Sequence, residues 1–161
     1  MMQPERKQTE TALIDAVTDA TLESLCIPRK LLGYGYLFLA IRCILSHPSD
    51  AHPSMLKEVY PYVASRTGTN LAMAERAMRY AIERGWKRAP QTVRASYLGL
   101  ENADVSIPPT NVEFVYLVAE RVRLIVGDPE GEARFLGMLA GSTQRFVRRS
   151  GEPVDGGLPL C

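Results

Sequence analysis

Apolar residues recur along this chain at intervals of three and four, the spacing that stacks side chains on one face of an α-helix, and no period-two alternation is sustained. The pattern predicts an all-α fold. A first helix is expected over residues 11–25, carried by Leu13, Ile14, Val17, Leu22 and Leu25, with residues 1–10 as a flexible polar lead. Pro28 breaks or restarts the chain. A second helix, over 34–45, is apolar on most sides, as central helices are. The turn residues His47, Pro48, Ser49 and Asp50 end it. A third helical stretch covers 54–66, and Pro61 suits the first turn of a helix beginning near Tyr60. A fourth helix is expected over 71–87 and a short one over 92–98. Residues 101–109 read as irregular, with one extended piece at 105–107. Thr110 and Glu113 have the spacing of a capping box, in which each side chain satisfies the other residue's free amide, and this opens a helix reaching about Val126. Residues 127–149 read as an added C-terminal helix and 150–161, rich in Gly and Pro, as a disordered tail.

The compact helical domain is therefore expected within 11–126, and its most informative part is 60–88: helix, tight turn with glycine, helix. A helix-turn-helix needs a small residue where the helices cross and a turn residue that tolerates left-handed backbone. Ala64 and Gly68 meet both needs. In the second helix, Leu71, Ala74, Met78, Ala81, Ile82 and Gly85 form a stripe suited to a core. Ala72, Arg76, Arg79 and Glu83 lie nearly opposite, with Glu75 beside them. An ordinary exposed face tied by Glu75–Arg79 and Glu83–Lys87 pairs would look the same. Trp86 falls off the stripe, so either Gly85 bends the helix end or another element covers the ring.

Charge changes the picture locally. The chain as a whole carries only +1, well short of the basic balance of many nucleic-acid binders. Between Arg66 and Arg94, however, seven basic residues face two acids, while residues 5–23 carry five acids against two bases. A positive field is thus concentrated on the segment with the helix pair. Arginine grips guanine through two hydrogen bonds and glutamate accepts from cytosine. Met73, Glu75, Arg76 and Arg79 are accordingly the candidate base contacts. Thr67, Thr69, Arg84, Lys87, Arg88 and Arg94 are the candidate phosphate contacts.

Other chemistry finds little support. Cys43, His47, Asp50 and His52 cluster in sequence, but Cys43 falls in an apolar helix and both histidines precede prolines, so no metal is expected. Cys26 and Cys43 sit in apolar helical patterns and read as buried small hydrophobes, while the third cysteine, Cys161, closes the chain. There is no phosphate-cradling glycine loop and no nucleophile–base pattern, so neither an enzyme nor a cofactor is expected. No apolar run approaches the ~20 residues of a membrane span, and the expected location is cytoplasmic.

The stretch from about Leu22 to Leu124 resembles the C-terminal effector domain of the sporulation stage-zero master response regulator of spore-forming Firmicutes. The resemblance is carried by Ile27-Pro28, Gly33-Tyr34, Ala40-Ile41, Val59-Tyr60-Pro61, Glu75-Arg76-Ala77 with Arg79, Ala81-Ile82-Glu83, Trp86, Pro109-Thr110-Asn111 with Glu113-Phe114, and Arg123-Leu124. It implies a roughly six-helix fold with a helix-turn-helix and a bacterial transcription regulator that binds short boxes of double-stranded DNA. It also implies a homodimer or tandem pair on DNA, and an RNA polymerase sigma factor as a candidate further partner. Two departures matter. The family has a serine and a DNA-contacting arginine where this chain has Ala72 and Met73, and Gly68 replaces an asparagine. The roughly 20 residues before the match are also too few for the family's receiver domain. The rival expectation is an interaction module that keeps the fold, has lost base reading, and modulates another regulator.

Overall fold

The structure, a computed structural model, describes residues 4–98 and 105–127; the expected helix over 130–149 and tail over 150–161 lie outside them. The described residues form six α-helices and no strand. These are α1 (Pro4–Ser24), α2 (Leu32–Leu45), α3 (Tyr60–Thr67), α4 (Leu71–Arg88), α5 (Gln91–Leu98) and α6 (Asn111–Gly127), with a π-helical turn, Met55–Val59, leading into α3. None is long and apolar enough to cross a membrane.

The central position expected for α2 is observed. It packs against α1, α3, α4 and α6, and Leu37, Ala40, Ile41 and Ile44 are wholly buried. α2 and α4 meet at a glycine: a Cβ built on Gly33 would lie 2.1 Å from the Ala77 carbonyl oxygen and 2.7 Å from the Ala81 Cβ. The core is completed by Val17, Leu22, Val59, Val63, Met78, Ile82, Phe114, Val118 and Val122.

α1 begins at Pro4, not near Thr11. The stretch expected to be a flexible lead continues the helix because Glu, Arg, Lys and Gln are good helix formers without needing a core. Proline fits the first turn, Glu5 lies in that turn, and the Thr9 and Thr11 hydroxyls donate to carbonyls four residues back. The helix ends without glycine. Cys26 takes the left-handed conformation, φ 58°, so that its amide reaches the Glu23 carbonyl and the Ile27 amide reaches that of Leu22. This doubled bond pattern satisfies orphan carbonyls while Leu22 and Ile27 enter the core.

The second half of the domain follows the expected punctuation. Ser54 accepts from the Lys57 amide and Glu58 accepts from the Ser54 amide, opening the π turn. Pro61 occupies the first turn of α3, and Gly68 ends that helix in the left-handed region, φ 69°. Thr110 and Glu113 form the capping box reciprocally at 2.9 and 3.3 Å, opening α6. Trp86 is settled by another element. Its ring is 1% exposed and its Nε1 donates to the Val105 carbonyl at 2.7 Å, so the segment before α6 covers it. Gly85 lets Ile27 come close to α4, a Cβ there falling 2.4 Å from the Ile27 Cδ1.

Candidate nucleic-acid interface

α3, the turn Gly68–Thr69–Asn70 and α4 build a helix pair whose crossing depends on small residues. Ala64 is buried at the crossing, and its carbonyl receives the amides of both Gly68 and Thr69. The Asn70 side chain accepts from the Met73 amide, satisfying one of the free donors at the start of α4. Eight residues of α3 and eighteen of α4 are thus joined by a turn with no slack.

The buried side of α4 is Ala74, Met78, Ala81, Ile82, Gly85 and Trp86. Leu71, expected in the core, is exposed, and Trp86 takes the place of its flank. Burial is thereby rotated about the helix axis relative to the sequence expectation. At 100° per residue the accessible row becomes Met73, Arg76, Tyr80, Arg84 and Lys87, with Glu83 and Ala72 beside it. Met73 is 52% and Tyr80 50% exposed. The sequence pattern does not single out Tyr80, because an aromatic within a helix usually faces a core. Its place one full heptad after the exposed Met73 was the available signal.

The candidate residues separate into two groups. Arg76 is exposed and makes no hydrogen bond or ion pair among the described residues. Lys87 and Arg88 are exposed and likewise unpaired among them, and the Arg84 guanidinium lies 5.6 Å from the Tyr80 ring centre. Glu75 is exposed, while its main-chain carbonyl receives the Asn111 Nδ2 at 3.0 Å. Thr69 is half-buried at the turn. The second group is engaged within the domain. Arg79 donates from Nε to Glu83 at 2.8 Å and from Nη1 to the Pro109 carbonyl at 2.6 Å. Arg94 donates to the Val105 carbonyl at 3.1 Å. The Thr67 hydroxyl donates to the Val63 carbonyl, so its hydrogen is not available to a phosphate oxygen. The Glu75–Arg79 and Glu83–Lys87 pairs expected of a bland surface do not form; Arg79–Glu83 forms instead.

Away from this face, no three His, Cys, Asp or Glu side chains converge among the described residues. Cys43 is a buried thiol held above the usual thiol range chiefly by burial, and His47 bonds through Nδ1 to the Cys43 carbonyl.

Residues 17–122, about two-thirds of the chain, match the family model described as sporulation initiation factor Spo0A C terminal. The chain belongs to that family. The sporulation initiation factor C-terminal domains are DNA-binding regulatory domains, so this chain is a DNA-binding regulator with double-stranded DNA as partner. The all-helical architecture observed is that of the family, and the family is not known for enzymatic activity. The match begins within α1 and ends within α6, so it takes in the whole helix pair.

Proposed function

We propose that this domain binds duplex DNA sequence-specifically, with α4 in the major groove and α3 crossing the backbone as the supporting helix. One observation carries the reading: the accessible row of α4 presents Arg76, without a partner among the described residues, in the helix's first half, where a recognition helix meets base edges. Arg76 reads guanine, Met73 lies one turn earlier against the base edges, and Glu75 accepts from a cytosine at the flank. Arg84, Lys87, Arg88 and the turn around Thr69 neutralise or hold phosphates. Arg79, Arg94 and Thr67, grouped with the DNA contacts on sequence grounds, are assigned here to holding the domain together.

Site selection from random duplexes followed by titration tests this. Arg76→Ala is expected to weaken binding to the selected sequence by about 1–3 kcal/mol, with little change on scrambled duplexes. Lys87→Ala is expected to weaken all duplexes alike and to reduce the slope of log K against log salt by about 1. Retention of wild-type affinity in both variants removes α4 from the groove. Failure of the wild type to enrich any sequence favours the rival reading, an interaction module using the apolar Met73 and Tyr80 for a protein partner.

A further inference from the structure

The first half of α4 is thinly anchored by apolar packing. Between Leu71 and Arg79 only Ala74 and Met78 are buried, whereas the second half buries Ala81, Ile82, Gly85 and Trp86. Yet the first half is the one that must hold a fixed pitch if it is to read bases. Two polar links reach it from the start of α6. Asn111, 6% exposed, spends both hydrogens of its amide nitrogen, donating to the Glu75 main-chain carbonyl at 3.0 Å and to the Tyr60 hydroxyl oxygen at 3.2 Å. One side chain therefore ties α6 to α4 and to α3 at once. Arg79, one turn further along α4, reaches back to the Pro109 carbonyl at 2.6 Å, a second bond across the same junction. Tyr60 is a suitable neutral acceptor: burial pushes its hydroxyl above the usual phenol range, the bond from Asn111 acting in the opposite direction.

We infer that Asn111, seconded by Arg79, is the positioning residue of the DNA-reading helix, a polar clamp from α6 that sets the angle of α4 against α3. This rests on the DNA-binding reading above and deepens it. A carbonyl has two lone pairs, so Glu75 accepts from Asn111 without giving up its own helical bond. The clamp grips main chain, so it is indifferent to the side chain at position 75. Asn111 is buried and contacts no base; it acts only through α4. Arg79 acts likewise, and its loss blurs recognition across several base pairs instead of erasing one.

Two measurements on the full chain test this, beside thermal melting. The first is amide hydrogen exchange without DNA. Asn111→Leu is expected to speed exchange of amides 73–79 relative to 81–88, whereas a merely structural loss speeds both halves together. The second is the ratio of affinities for the selected and scrambled duplexes. It is expected to fall about tenfold, on the scale of a single mismatch, with the loss spread over the positions read by α4. Arg79→Gln should move both readouts in the same direction and less far, and Arg79→Lys should restore much of the effect. If Asn111→Leu does not fold, Arg79→Gln, on a partly exposed side chain, decides alone. Unchanged relative exchange, or a loss in Arg79→Gln confined to one base pair, overturns the clamp. A wild type that selects no sequence sinks the DNA reading, and the exchange measurement still judges the clamp separately.

Discussion

Replacing Trp86 with alanine is expected to destabilise the domain by about 3–5 kcal/mol, the range for emptying a buried aromatic site. The indole is almost wholly enclosed, and it joins the end of α4 to the segment leading into α6 through its bond to Val105. A loss of that size takes much of the ~5–15 kcal/mol that holds a domain folded. Trp86→Phe separates the two contributions. It keeps most of the apolar volume and removes the N–H donor, and the Val105 carbonyl still receives Arg94. Its cost should therefore stay near 1 kcal/mol, plus a small packing term. Urea unfolding followed by circular dichroism measures both. Equal costs for the two variants would mean that the ring volume is not what the segment closes on.

Gly33→Ala and Gly35→Ala, two residues apart in α2, are expected to act with opposite signs. A Cβ at Gly33 collides with the main-chain oxygen of Ala77, which cannot swing aside as a flexible side chain would. α2 and α4 must separate, and the cost is expected to be about 3 kcal/mol, the upper part of the overpacking range. Gly35 meets nothing within 4 Å, so alanine there gains helix propensity, about 0.5–1 kcal/mol of stabilisation. Paired unfolding curves check the contrast. A Gly33→Ala variant as stable as wild type would show that the two helices do not approach on this glycine. Because α4 rides on α2 at this point, Gly33→Ala is also expected to weaken the proposed binding of DNA through α4 in the fraction that remains folded.

The helical pattern was legible wherever an apolar period or a cap was local. The spacing of Thr110 and Glu113, the proline at the start of α3 and the left-handed Gly68 are all short-range chemistry and all appear as read. The first turns of α1 were not legible because charged helix formers leave no apolar period to detect. The register of the α4 face was legible only to within one side-chain row. Which side a residue buries depends on what covers it, and Trp86 is covered by Val105, far along the chain. The arginines posed the same difficulty. A guanidinium fork suits a main-chain carbonyl as well as a guanine edge, so Arg76 and Arg79 are equivalent in sequence. Only the approach of Pro109, thirty residues on, separates Arg79, engaged within the domain, from Arg76, which has no partner among the described residues.

Trp86 is the only tryptophan in the chain, and it sits where α4 is sealed by the residues preceding α6. The protein thereby carries its own optical probe of that seam. Its emission should be that of an indole shielded from water and should move to longer wavelength when the covering segment lifts, with no label attached to the face proposed to meet DNA.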